Sequence, residues 1–565
     1  MPRTLFSSIA FLAIALLSTP QPSRAEIDAT LLSNDFSIAE IDALIAENVA
    51  DLRLVFDLLS RKAEALKAEG DLAGAAATTL EMATVSQVAG PQVEADLPML
   101  YWDAGDLFAE AGDDFSALDS YNLALEALRT RAPEPPLLAA LLRRIADLEE
   151  AAGRTDLAAA LRAEADDPPV AQTEEPHGTR GTNAGFQKVQ VFYATDRARS
   201  GDPRPARYYN ADRGAALDYG IVEVTIPGDH KTGTIAAPSI WKLQFYENPT
   251  KHVMLQSVTP MAQDAYFGAM QAELAKTGAD DLFVFVHGYN VSFDAAAKRT
   301  AQLAFDMKFA GVPVLYSWPS AGATVGYVSD TAVVRLSGRR LSRFLEDLVA
   351  RSGARTIHLI GHSMGNRALT DALELMALRQ APVERAIFDQ IIFAAPDVDQ
   401  GLFSVMLEAI RPMAKRLTLY ASEQDWALVA SRKLHGNMPR AGQGGPDAMS
   451  HAAIDTIDMS DLGEDMLAHS YVANDRSAIL DIATLFWRSP DPAQRCGLAP
   501  REGLARVWEY RGSTCTDQNL LNVIGHLKQA GAQTRADVQA TLRREFFDAP
   551  EIAAFEDILL NAVGD

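Results

Sequence analysis

From Phe186 to about Arg488, short runs of β-branched and aromatic residues alternate with stretches of helical spacing, and this alternation leaves the chain few folds to choose from. Parallel strands cannot be joined by a tight turn, so each pair needs a crossover. Right-handed crossovers place helices on both faces of the sheet. Strands are expected at "KVQVFYAT", "YGIVEVTIP", "KLQFY", "LFVFVHG", "PVLYSWPS", "TIHLIGHS", "QIIFAAPD", "RLTLYASE" and "AIDTIDMS", with helical patterns between most of the later ones. Residues 186–488 therefore read as one α/β domain with a mostly parallel sheet.

A chain of 565 residues is larger than one core sustains, and the rest of the sequence divides accordingly. Residues 1–25 have the form of a signal peptide: Arg3, an apolar run from Leu5 to Leu17, and small residues in Ser23-Arg24-Ala25. That run is too short to span a bilayer, and no later stretch is longer and uncharged, so an exported chain with no membrane-spanning segment is expected, in the bacterial periplasm or outside the cell. Residues 26–165 are rich in Ala, Leu and Glu at helical spacing. The phrases "LKAEGDLAGAA", "FAEAGDDFSAL" and "EEAAGRTDLAAAL" repeat a pattern in which Gly70, Gly112 and Gly153 each end one helix and the following Asp or Thr starts the next. The pattern resembles tetratricopeptide-type hairpins with a longer period, and an irregular bundle fits it equally. In either form it offers a docking surface for a protein partner. Residues 166–185 hold three prolines and few apolar side chains and read as a linker. Residues 489–565 have helical texture, as an accessory module or a packed tail.

The net charge of −24, with no long basic cluster, argues against nucleic acid as a partner. In an exported chain, Cys496 and Cys515 read as a local disulfide, because two cysteines are too few for a metal site. No cofactor or metal is called for.

The candidate chemistry centres on Gly361-His362-Ser363-Met364-Gly365. Three fixed residues are a weak motif alone. Here "TIHLIG" supplies a buried strand before the serine and "NRALTDALELMAL" an amphipathic helix after it, which is the context of a nucleophile elbow. The helix N-terminus would then favour negative charge developing on a substrate oxygen, with the Met364 amide as one oxyanion donor. "LFVFVHGYN" offers the second donor, the Tyr289 amide, just after His287-Gly288. His287 is counted among the pocket candidates.

Serine needs a base, and the base an orienting acid. Four histidines follow Ser363. His435 lies in a basic segment, His451 precedes a strand, and His526 is in the tail, whereas His469 follows the strand "AIDTIDMS" and is favoured as base. For the acid, Asp425 directly follows "RLTLYASE", while Asp397 and Asp399 follow the strand before it. Any of the three can orient a histidine, and Asp425 is preferred over Asp397.

The motifs "FVHGYN", "YSWPS", "LIGHSMGNRAL", "AAPDVD", "LYASEQDWAL", "SRKLHG" and "HSYV", in this order, resemble those of bacterial α/β-hydrolases grouped as a family of unknown function and described as esterase/lipase-like. The likeness runs from Val189 to Phe486. It implies an α/β-hydrolase fold with Ser363 as nucleophile, Asp425 as acid and His469 as base. It also implies that Tyr316 to Pro319, including Trp318, and Asp397 lie beside the pocket. The expected activity is hydrolysis of a small-molecule or lipid-like carboxylic ester through an acyl-enzyme. Acyl transfer or amide hydrolysis would use the same triad, and an inactive envelope scaffold that binds partners through its helices is the alternative of another kind. A true lipase would call for a larger apolar lid than "AGATVGYVSDTAVVRLSG" provides.

Overall fold

The computed structural model describes residues 36–48, 51–89, 93, 95–130, 135–151, 155–166, 185–228, 230, 232, 252–320, 327–380, 383–423, 425, 428, 431–432, 437–460, 476–511, 515, 518–546 and 555–564. The leading segment, most of the linker, the stretch "KLQFY", Gly153, His435 and His469 lie outside them. The described residues fall into two compact units.

The first unit is helical: α1 (Ile38–Glu47), α2 (Leu52–Glu69), α3 (Leu72–Ala89), α4 (Leu97–Glu110), α5 (Asp114–Thr130), α6 (Pro135–Ala151) and α7 (Thr155–Asp166). The repeated phrase is a stop and a start, as its residues imply. Gly70 adopts φ 82°, open to glycine at little cost, and the Asp71 amide returns to the Leu66 carbonyl. Asp71 then caps α3 by accepting the Gly74 amide at 2.9 Å. Gly112, at φ 77°, and Asp113, which accepts the Ser116 amide at 3.0 Å, do the same between α4 and α5. Packing runs mainly between helices consecutive in the chain. At Gly105, a Cβ would lie 2.5 Å from the Tyr121 ring, so α4 and α5 approach at van der Waals distance.

The second unit is built on one sheet of β1 (Phe186–Arg199), β2 (Tyr209–Pro227), β3 (Met254–Met261), β4 (Asp281–Val286), β5 (Val312–Ser317), β6 (Thr356–His362), β7 (Phe388–Ala394), β8 (Ala414–Ala421), β9 (Asp455–Asp458), β10 (Leu498–Pro500) and β11 (Val507–Tyr510). The spatial order is β10-β11-β9-β8-β7-β6-β4-β5-β1-β2-β3. Pairings from β11 through to β1 are parallel, and only the outer pairs β1–β2, β2–β3 and β10–β11 are antiparallel. In β4, Leu282, Val284 and Val286 enter one apolar core and Phe283 and Phe285 the other, which is the period of two expected of a strand covered on both faces.

Helices α8 (Gln263–Thr277), α10 (Tyr327–Arg351), α11 (Gly365–Arg379) and α12 (Gln400–Ile410) fill one face. Helices α9 (Phe293–Asp306), α13 (Arg476–Arg488) and α14 (Gln518–Gln529) fill the other, with α15 (Arg535–Glu545) and α16 (Glu556–Val563). The tail is thus helical and also carries β10 and β11, which extend the sheet past β9. Its Leu520, Leu521, Val523 and Leu527 share a core with Ile479 and Phe486 of α13, so the tail packs as part of the α/β unit. Cys496 and Cys515 form the expected disulfide, their Cα atoms 5.9 Å apart. Among the described residues no helix is long and apolar enough to cross a membrane.

Candidate active site

The central strand β6 ends at His362, and the chain reverses into α11 through Ser363 and Met364. Ser363 takes φ 52°, a left-handed conformation that costs a residue with a Cβ about 1 kcal/mol or more. Its amide donates to the Ala394 carbonyl at 2.9 Å, and its carbonyl accepts from the amides of Asn366 at 3.0 Å and Asp397 at 3.2 Å. Asn366, fully buried in the first turn of α11, adds side-chain bonds to the carbonyls of Ser363 (3.2 Å) and Ala394 (3.0 Å). Ser363 is therefore fixed by the ends of two neighbouring strands and by its own helix.

The motif glycines are needed because neighbouring atoms, backbone at Gly365 and buried side chains at Gly361, occupy the space of a side chain. A Cβ on Gly365 would sit 2.2 Å from the His287 carbonyl oxygen, and one on Gly361 would sit 2.2 Å from Asn366 Oδ1. A Cβ on Gly288, in the loop after β4, would lie 2.9 Å from Ser363 Cβ. The "HGYN" loop and the serine turn are thus in direct contact. Among the described residues, the Met364 amide donates to no partner, as befits the first turn of a helix.

His287 is buried, with Nδ1 2.8 Å from the Gly288 carbonyl and Nε2 3.2 Å from Ser317 Oγ. Burial, reinforced by the nearby Arg197 guanidinium, pushes its pKa down to about 3. The ring is therefore neutral near pH 7. It stacks on Trp318 with ring centres 5.3 Å apart, and Trp318 Nε1 donates to the His287 carbonyl at 2.7 Å. Tyr316 is also fully buried, its hydroxyl donating to the Ser337 carbonyl at 3.0 Å. Both aromatic rings spend their polar atoms inside the protein and brace the strand ends from within.

The three candidate acids sit in different surroundings. Asp397 is held by Arg367 (3.0 Å), by the Ser431 hydroxyl (2.5 Å) and by Arg440 (3.4 Å). Asp399 caps α12 by accepting the Leu402 amide at 2.9 Å. Asp425, after β8, is 1% exposed and accepts the Leu428 amide at 3.1 Å. Of the other histidines after Ser363, His451 precedes β9 and accepts the Ala453 amide through Nδ1 at 3.1 Å, and His526 lies in the last turn of α14 beside Glu545.

β9, the strand that leads toward His469, is tied down at its end. Asp458 accepts from the Gly445 amide (2.8 Å), from the Ser460 amide (3.1 Å) and from Arg501 (3.0 Å), while Ser460 Oγ accepts the Glu423 amide at 2.8 Å. The exits of β8 and β9 are therefore bound to each other. Sequence reasoning missed Asn366, Arg367, Ser317 and Arg197. The available signal was the pair Asp196-Arg197 at the end of an apolar strand, where charge is costly unless it is used.

Residues 262–485 match the family described as "Alpha/beta hydrolase of unknown function (DUF900)". The match and the sheet topology agree on a hydrolase domain with α/β-hydrolase architecture. It begins at α8, so β1 to β3 precede it. No curated protein sequence matches this chain.

Proposed function

From a domain of the α/β-hydrolase kind, we propose a serine hydrolase that cleaves a carboxylic ester through an acyl-enzyme. One observation carries the reading: Ser363 is held at positive φ between β6 and α11, with the loop after β4 packed against it. A chain does not maintain such strain at a buried serine without compensation elsewhere, and such strain clusters at reacting groups. In this reading His469 is the base and Asp425 its orienting acid. The choice of Asp425 is supported by the engagement of Asp397 with two arginines and a hydroxyl, which leaves that carboxylate little capacity to orient an imidazole.

The steps follow from these roles. His469 takes the Ser363 proton as Oγ attacks the carbonyl. The amides of Met364 and Tyr289 receive the tetrahedral oxyanion, helped by the α11 N-terminus. The protonated imidazole gives its proton to the leaving alcohol, and water then releases the acyl group by the reverse sequence. The signal-like segment and the disulfide support export to the periplasm or beyond, and the helical unit is the surface offered to a protein partner. Ser363→Ala should abolish hydrolysis of a p-nitrophenyl ester and labelling by a fluorophosphonate probe, with the fold unchanged by circular dichroism. Full activity in that variant rejects the nucleophile, and a parent chain inert to both reagents favours a scaffold.

A further inference from the structure

Arg197, 3% exposed at the end of β1, commits its guanidinium to the loops around the serine turn. Nε donates to Ser317 Oγ at 2.9 Å. One terminal nitrogen donates to the carbonyls of Asn210 and Ser320, both at 3.2 Å, and the other to the Val291 carbonyl at 2.6 Å. Ser317 Oγ in turn lies 3.2 Å from His287 Nε2, and His287 Nδ1 lies 2.8 Å from the Gly288 carbonyl.

The Gly288 carbonyl can only accept, and this sets the proton positions. A guanidinium only donates, so Ser317 Oγ accepts from Arg197 and keeps its own proton for His287 Nε2. The neutral imidazole then accepts at Nε2, carries its proton on Nδ1 and donates it to the Gly288 carbonyl. The peptide between Gly288 and Tyr289 is planar and trans, so a carbonyl drawn to the imidazole turns the Tyr289 N–H to the opposite side. Gly288 itself packs against Ser363.

We propose that Arg197 and Ser317 are positioning residues which, acting through His287, aim the Tyr289 amide at the oxyanion formed on the Ser363 adduct. The proposal rests on the reading of Ser363 as nucleophile and Tyr289 as oxyanion donor. Arg197 also binds the far end of the same loop at Val291, so one side chain sets both the direction of the peptide and the path of the chain that carries it. Preorganised donors of this kind contribute only when charge develops on the substrate oxygen, so their loss lowers kcat rather than raising KM.

The test uses the full purified chain with Ser317→Ala, which removes one hydroxyl, and Arg197→Met, which removes the charge. Ser317→Ala should lower kcat for p-nitrophenyl acetate by about 10- to 100-fold with KM within about two-fold. It should weaken an aryl trifluoromethyl ketone, which forms a tetrahedral oxyanion adduct on an active serine, by a similar factor. A purely structural role would lower the melting temperature and leave both ratios unchanged. Unchanged kcat and ketone affinity, or a change confined to KM, overturns the proposal. Arg197→Met should show the larger loss, and if it fails to fold, Ser317→Ala decides alone. Ser363→Ala run in parallel separates the two readings. If it stays active, the nucleophile assignment falls and this inference with it; if it is dead while Ser317→Ala is normal, only the positioning role falls.

Discussion

The carbonyl oxygen of His287 occupies the space a methyl group on Gly365 would need, 2.2 Å from where its Cβ would stand. The two residues belong to different parts of the chain, one following β4 and the other opening α11. Their contact lets the loop reach the serine turn, and it joins Ser363, the proposed nucleophile, to the segment proposed to supply the second oxyanion donor.

Gly365→Ala should therefore displace one of these backbones. The obstacle is a main-chain carbonyl inside the core, so repacking of side chains cannot relieve it. A destabilisation of about 1–3 kcal/mol is expected, together with a loss of ester turnover larger than the fall in folded fraction. Urea titration and turnover per folded molecule measure the two effects separately.

His358 in β6 makes a different prediction. It is fully buried and stacked on Phe486 at 3.9 Å, and among the described residues neither ring nitrogen has a hydrogen-bond partner. Burial, with help from Lys528 and Lys415 and against the pull of Asp389 at 4.0 Å, holds its pKa below the ordinary histidine value. A depressed histidine pKa means that the unfolded chain binds the extra proton first, so stability from this residue is present above about pH 6.5 and declines as pH falls below it. His358→Leu should flatten that decline. Between pH 7.5 and 5, the parent should lose up to about 2 kcal/mol more than the variant in urea unfolding, and equal losses refute the assignment.

Arg495 and Asp481 form a buried ion pair, with Arg495 Nε 2.8 Å from Asp481 Oδ1 and the Tyr420 hydroxyl donating to Asp481 Oδ2 at 2.6 Å. The pair joins the tail to α13 and β8. Arg495→Met leaves a carboxylate buried without its cation, at a cost of about 3–5 kcal/mol, whereas Arg495→Met with Asp481→Leu should recover much of it. A double-mutant cycle by urea denaturation checks this, and equal losses in single and double variants contradict it.

The sheet and the serine turn were legible in the sequence because both rest on local rules. "TIHLIG" before Ser363 and "NRALTDALELMAL" after it state strand and helix by their periods, and the glycines state the tight turn. Gly70 and Gly112 announced helix ends in the same way. The hidden parts depend on distant partners. "VMLQSVTPM" has Pro260 and polar residues because β3 is an edge strand, so its alternation is blurred. β10 and β11 are three and four residues long and exist through β9, which no local pattern could announce. Arg197 and Ser317 stand 120 positions apart, and their meeting follows from the pairing of β1 with β5.

Because β11 lies beside β9 and the Lys528 ammonium pairs with Asp281, 247 positions earlier in the chain, the sheet has an open flank until those later segments have been made. A chain cut short after β9 would present that strand's unpaired amides and carbonyls to any other polypeptide. Late pairing of β11 leaves that edge of β9 to be covered last. It also makes premature termination a route to aggregation rather than to a smaller working enzyme.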